Sequence, residues 1–401
     1  LPSPNLTASA YGNSLLDSLG ATVRCDTARD ADPAQRHTDS GLLALTGHGD
    51  RPPVDCPLPL AICADGALAA LSALAGTPTL AAVDGARLLG QRAALMGLTR
   101  NGRIAPGGSC RLLPAADGWL ALNLARDDDW ELLPAWLETE VPRDWDGVAA
   151  VLKGRNPTEC VERGRLLGLA VASSQRFASD GAWLRVDYRT AHTSGAAGPE
   201  ASCPEKKSPL VVDLSSLWAG PLCSHLLQRL GAHVIKVESA QRPDGARRGN
   251  AAFFAALNDG KDNLVVDFAG PEGCAQLRAL CERADIVIEA SRPRALRQLG
   301  IVAERIVDAN PKLTWLGITG YGRREPMANW VAFGDDAAVA AGLSQRVFEH
   351  CGDMLFCGDA VADPLTGLHA ALAAWHGWQS GGGCVLDIAM RDVVANCLAF
   401  G

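Results

Sequence analysis

With 401 residues, the chain is too long for one ordinary hydrophobic core, and two domains are expected. Hydrophobic residues make up 48% and charged residues 20%, the balance of a compact soluble protein. Acids outnumber bases by 45 to 37, for a net charge of −8, which argues against a nucleic-acid partner because that needs clustered Lys and Arg.

No apolar run approaches the ~18 residues that span a bilayer, so no membrane is expected. The opening LPSPNLTASA has neither the basic nor the apolar region of a secretion leader. Thirteen cysteines are scattered without a Cys-x-x-Cys set. They read as buried free thiols of a reducing cytoplasm, not as disulfides or metal ligands.

The first hundred residues read as mainly helical. Leu15-Leu16-Asp17-Ser18-Leu19-Gly20-Ala21-Thr22-Val23 echoes Leu226-Leu227-Gln228-Arg229-Leu230-Gly231-Ala232-His233-Val234. Asp39 to Leu71 loosely repeats Asp335 to Leu372. Between these landmarks the first copy has about fifteen residues where the second has about a hundred. Residues 1–100 are therefore read as a partial repeat of a larger domain, one that has lost the middle of its sheet. Chance similarity among Ala/Leu/Gly-rich helices is the other reading. From 58 to 100, Ala67-Leu68-x-x-Leu71-x-x-Leu74 and Ala86-Arg87-Leu88-Leu89-x-x-Arg92 recur at helical spacing, with a break at Pro78.

Residues 101–191 are expected to form a small α+β domain. Asp117-Gly118 between two apolar runs predicts a hairpin. Asp127-Asp128-Asp129 is placed to cap a helix from Trp130. Asn156 is placed to cap another, with Pro157 at its first position and Glu159 reaching back. Trp183-Leu184-Arg185-Val186 reads as a short strand. From 192 to 209 the composition shifts to Gly, Ser, Pro, Lys and Ala, a linker.

Residues 210–401 carry the clearest signal. An apolar strand ends at Asp213, Ala219-Gly220-Pro221 turns the chain, and Leu222, Leu226, Leu227 and Leu230 repeat at helical spacing. Gly231 closes that helix, and His233 to Val237 is a second strand, completing a βαβ unit. Strands at Leu264–Asp267, Ala284–Glu289 and Leu313–Ile318 alternate with helices. An open parallel α/β sheet follows, with ligands expected beyond the carboxyl ends of its strands.

This stretch resembles the class III CoA-transferases, the family of formyl-CoA transferase, carnitine CoA-transferase and α-methylacyl-CoA racemase. Asp213-Leu214-Ser215, Ala219-Gly220-Pro221 and Leu230 to Glu238 carry the resemblance, which covers 210–401 and, more loosely, 100–185. It implies a Rossmann-like CoA-binding catalytic domain, with the small domain preceding it where the family has it after. It implies acyl-CoA and a small carboxylic acid as substrates, coenzyme A as co-substrate, no metal, and a homodimer.

By the same resemblance, Asp363, four residues before Gly367, matches the family's nucleophile. Read without it, Asp363 is an ordinary carboxylate at a helix start. A carboxylate can attack an acyl thioester and then carry CoA as an aspartyl thioester. Backbone N–H groups near Gly367 or near Gly107 and Gly108 are candidates to stabilise the oxyanions. The glycine pair matches a loop that closes over the active site in formyl-CoA transferases, or is a plain turn. Asp335 and Asp336 stand where the family's racemases have a His-Asp pair. An acyl-CoA racemase or isomerase using Asp335 or Asp336 with Asp363, and a degenerate CoA-binding paralogue, are the alternatives.

Ser216, Leu217, Trp218, Ala219 and Tyr321 lie at strand ends where CoA would bind. Arg242, Arg247, Arg248, Lys261, Arg292 and Arg297 are the candidate phosphate ligands. Two departures stand out: Ser239 replaces an arginine of the formyl-CoA transferases, and Ala290-Ser291-Arg292-Pro293 replaces an Asn-Phe-containing strand end. His369 and His376 read as ordinary core or surface histidines.

Overall fold

The computed structural model describes residues 6–27, 32–175, 181–191 and 208–401; the 192–207 part of the expected linker lies outside them. A small antiparallel sheet runs β1 (Cys110–Ala115), β2 (Gly118–Asn123) and β3 (Ala170–Ser173). Ala115 pairs with Gly118 across the predicted hairpin turn. Asn156 Oδ1 accepts from the N–H groups of Thr158 and Glu159, with Pro157 at the first helical position as expected. Asp127 to Leu132 forms a 3-10 turn instead of a helix start, and the helix proper is Leu133–Leu137.

The large sheet holds β4 (Arg185–Arg189), β5 (Leu210–Asp213), β6 (His233–Ser239), β7 (Asp262–Val266), β8 (Ile286–Glu289), β9 (Thr314–Thr319) and β10 (Cys384–Ala389). Its order is β4-β10-β9-β8-β5-β6-β7, parallel except for β4. The strand predicted near Trp183 to Val186 is found at Arg185–Arg189 and joins the large sheet. Antiparallel pairing with β10 accepts a strand that arrives from outside the βαβ run. β8 and β10 are buried throughout because helices cover both faces. Val211 and Val212 point to opposite sides, the first into a layer with Leu226 and Leu368, the second into one with Leu277 and Val307. From β5 the sheet grows both ways, towards β6 and towards β8. That reversal opens a crevice between their carboxyl ends.

The helices of residues 6–100 share a single core with the large domain, since Tyr11, Leu15, Leu60 and Leu71 lie in one cluster with Leu365, Leu368 and Leu372. Helix Ala8–Ser18 packs on Leu60–Ala75, and Ala219–Arg229 packs on Ala362–Gln379. The two contacts are built alike. A Cβ on Gly66 would stand 2.5 Å from the Ala8 carbonyl oxygen, and one on Gly367 would stand 2.8 Å from that of Ala219. Ala8 and Ala219 are in the register that aligns Leu15 with Leu226. Gly41 and Gly342, aligned by the register of the two glycine contacts, both take left-handed conformations ahead of a helix. Gly367 thus lets the two helices approach closely. A helical Gly→Ala change ordinarily stabilises by up to about 1 kcal/mol. Here the obstacle is backbone, so Gly66→Ala and Gly367→Ala are each expected to lower stability by about 1–3 kcal/mol in urea melts. An unchanged midpoint would contradict the close approach.

The described cysteines are free thiols, buried except for Cys274 and Cys351. No helix among the described residues is long and apolar enough to cross a membrane.

Candidate active site

Four carboxylates meet beside the crevice. Asp363 is the second residue of helix Ala362–Gln379, and Asp335 and Asp336 lie in the first turn of Gly334–Ala340. Asp359 comes from the loop just before Asp363. Asp335, Asp336 and Asp359 are buried, at 7%, 0% and 0% exposure, whereas Asp363 keeps partial contact with solvent. The Asp363 carboxylate lies against the backbone N–H groups of Ala219 and Gly334, each the first residue of its helix. Helix starts leave N–H groups unpaired and favour negative charge. The Asp363 carboxylate is thus held by two such groups.

The neighbouring acids are fixed individually. Asp335 accepts from Ala360 N–H at 2.8 Å. Asp336 accepts from Phe333 N–H and from Asn123 of the small sheet, both at 3.0 Å. Asp359 receives a bidentate pair from Arg92, at 2.6 and 2.8 Å. Arg92 also lies over the Trp218 ring at 5.4 Å, and Trp218 stacks edge-on with Phe253. Two non-glycine residues with left-handed backbones flank the site, Leu217 (φ 70°) before Trp218 and Ala360 (φ 46°) before Asp363. Such conformations cost energy and tend to mark places where the surroundings dictate the backbone.

Burial pushes Asp363, Asp335 and Asp336 each up to about 7; Arg92 opposes this at Asp363 and Asp335, while backbone N–H groups oppose it at all three. Between pH 4 and 7 the folded chain then holds protons that the unfolded chain, titrating near 3.8, has released. Stability falls as pH rises through that window and levels off above it. Asp335 and Asp336 contribute up to about 1.4 kcal/mol per pH unit each. Asp213, Glu238 and Asp353 are held below the usual range and act only under pH 4 or so. Urea melts at pH 5 and pH 8 are expected to show the loss, and Asp336→Asn to shrink it. His37, His225 and His376, held below their ordinary pKa by burial, pull the other way up to about pH 6.5, so the variant decides: an equal change from pH 5 to 8 in wild type and Asp336→Asn would mean that Asp336 is not buried in neutral form.

The sequence candidates divide. Ser216 and Leu217 are exposed on the loop after β5, Trp218 is buried behind them, and Ala219 supplies its N–H. Gly107 reaches the cluster, since a Cβ there would meet the Arg92 guanidinium at 2.9 Å. Gly108, left-handed at φ 83°, has open space around it. Lys261 is corrected: its ammonium is buried and donates to Asp213, Ser224, Asn258 and the Pro221 carbonyl, out of reach of a solvent-borne phosphate. Tyr321 is likewise buried, packed between Trp330 and the Arg165 guanidinium of the small unit. Arg297 is paired with Glu304 at 2.8 Å and Arg247 with Glu238 at 2.6 Å.

Arg292 and Arg242 do come together, with two residues that the sequence reading missed, Arg126 and Arg294. Burial, and then the like charges of Arg294, Arg126 and Arg242, hold Arg292 below its ordinary pKa. Among the described residues no carboxylate pairs with Arg242, Arg292 or Arg294. This leaves a cationic patch near the carboxyl end of β8, suited to a polyanion. Arg92 and Asp359 were missed too; nothing in their local sequence points to a partner so far along the chain.

Residues 209–400 match the model of CoA-transferase family III. The succinate–glutarate CoA-transferase of Agrobacterium fabrum is 34% identical over 217 residues, covering 49% of this chain and 54% of that protein. The formyl-CoA:oxalate CoA-transferase of Afipia carboxidovorans is 32% identical over 197 residues, 46% of each. The chain spans about half the length of these curated relatives. Among solved structures, a protein from Mycobacterium tuberculosis aligns at 29% identity and a TM-score of 0.44, over 49% of this chain and 56% of that one.

Proposed function

We propose, from the premise that residues 209–400 belong to CoA-transferase family III, that the protein moves CoA between carboxylic acids through a thioester on Asp363. The Asp363 carboxylate attacks the acyl-CoA carbonyl, the C–S bond breaks, and a mixed anhydride and CoA thiolate result. The thiolate attacks the aspartyl carbonyl and expels the donor acid, leaving CoA on Asp363. An acceptor carboxylate repeats the two steps in reverse order and leaves as its own CoA thioester. Each tetrahedral stage puts charge on an oxygen beside the N–H groups of Ala219 and Gly334, so the protein supplies alignment and oxyanion stabilisation. The observation that carries this reading is that Asp363 alone of the four acids retains solvent contact while lying between two backbone donors.

Arg242, Arg292 and Arg294 take the CoA phosphates, Arg126 being held by Asp129, and the Gly107-Gly108 loop closes over the acids. A racemase needs a second base open to substrate. Asp335 and Asp336 are buried, which favours the transferase. A soluble cytoplasmic homodimer is the assembly that goes with this reading.

Incubation with acetyl-, succinyl- and glutaryl-CoA, followed by intact-mass and peptide analysis, is expected to find CoA on the peptide carrying Asp363, released by hydroxylamine. No adduct with any of the three, or an adduct elsewhere, would overturn the assignment.

A further inference from the structure

The N-terminal helices repeat the geometry around Asp363 without its chemistry. In the register that aligns Gly66 with Gly367, Asp363 corresponds to Ile62 and Gly334 to Pro33. Ile62 is buried at 1% exposure, and Pro33, the first residue of its helix, has no N–H to offer. Residues 6–100 therefore hold neither the nucleophile nor the second backbone donor. What this half does send into the cluster is Arg92, from the short helix Gln91–Met96.

Asp363 is faced by Asp335 and Asp336 from helix Gly334–Ala340, by Asp359 from the loop before its own helix, and by Arg92. From helix Ala219–Arg229 only a backbone N–H reaches it, and from the small sheet the Cys110 thiol lies against Asp335 and Asp336. One guanidinium thus serves three of the four carboxylates, Asp359, Asp335 and Asp363. Its position is fixed twice, by the bidentate grip on Asp359 and by the Trp218 ring. A planar fork satisfies both constraints together, which a lysine ammonium cannot do.

We propose that Arg92 is the positioning residue that keeps Asp363 ionised, so that the half without a nucleophile tunes the nucleophile of the other. This rests on Asp363 being the attacking group. Like charges close together resist common ionisation, and an opposite charge nearby restores it. With Arg92 in place, Asp363 ionises near neutrality. Without it, three neighbouring acids compete for the same charge.

The test is the pH dependence of CoA adduct formation with succinyl-CoA in the wild-type chain and in Arg92→Met, Arg92→Lys and Asp359→Asn. Arg92→Met is expected to move the midpoint up by at least about one pH unit, a tenfold loss of rate below the midpoint. Arg92→Lys recovers part of that shift. Asp359→Asn, isosteric and still offering the guanidinium one acceptor oxygen, removes a neighbouring negative charge and moves the midpoint down. It tests the idea even where Arg92→Met fails to fold. A purely structural role would change the amount of active protein and leave the midpoint alone. Wild-type midpoints in Arg92→Met and Asp359→Asn would overturn the proposal. Absence of an adduct in the wild type at every pH would instead sink the nucleophile assignment on which it stands.

Discussion

Asp363→Asn is expected to abolish the CoA adduct and lower turnover by at least about 10³-fold, while raising stability at pH 8. The two effects share one cause. The amide keeps an oxygen for the N–H groups of Ala219 and Gly334, so the helix junction survives. It has no charge to hold in a crowded acidic site and no lone pair basic enough to attack a thioester. A carboxylate serving only to cap a helix would behave the other way: its neutral replacement costs about 0.5–2 kcal/mol and leaves activity intact. Turnover with succinyl-CoA, read beside urea melts at pH 8, separates the roles. A variant that is less stable but fully active would leave the transferase mechanism without its nucleophile.

The βαβ unit from β5 to β6 was legible because its signals are local: an apolar strand, Ala219-Gly220-Pro221, a 3.6-residue period and Gly231 as the stop. Asp363 is singled out in the sequence by family pattern alone, since a carboxylate in a helix start looks like any other cap. The echo between Leu15 and Leu226 falls on two helix contacts of similar geometry, closed by Gly66 and Gly367. Charged side chains were read least well. Lys261 precedes β7 in a polar turn that reads as surface, yet Asp213, at the end of β5, draws it into the interior. Arg92 and Asp359 look like surface charges until the fold sets them 2.6 Å apart. Tertiary proximity decides which charges meet, and short-range sequence carries little of it. The same holds for β4, whose residues read correctly as a strand while its partner, β10, is set by the packing of the whole sheet.

Gly334→Ala is expected to disable the site far more than it destabilises the fold. A Cβ there would lie 2.2 Å from Asp363 Oδ2 and 2.4 Å from the Ala360 carbonyl oxygen, both far inside contact distance. Glycine is required for space rather than for a left-handed backbone, because Gly334 opens a regular helix. The Ala360 carbonyl is held in the turn that receives the Asp363 N–H, and Ala360 already has φ 46°, so backbone is poorly placed to yield. The carboxylate must yield instead, leaving the Gly334 N–H and the line of approach to the thioester. A displacement of about 1 Å at a reacting atom costs on the order of 10²-fold in rate. Adduct formation with succinyl-CoA should fall by at least that factor. The loss of stability should be closer to the 1–3 kcal/mol of an ordinary overpacked site, because the side chain that moves has solvent to move into. Full adduct formation in Gly334→Ala would mean that Asp363 reacts from some place other than the seat between Ala219 and Gly334.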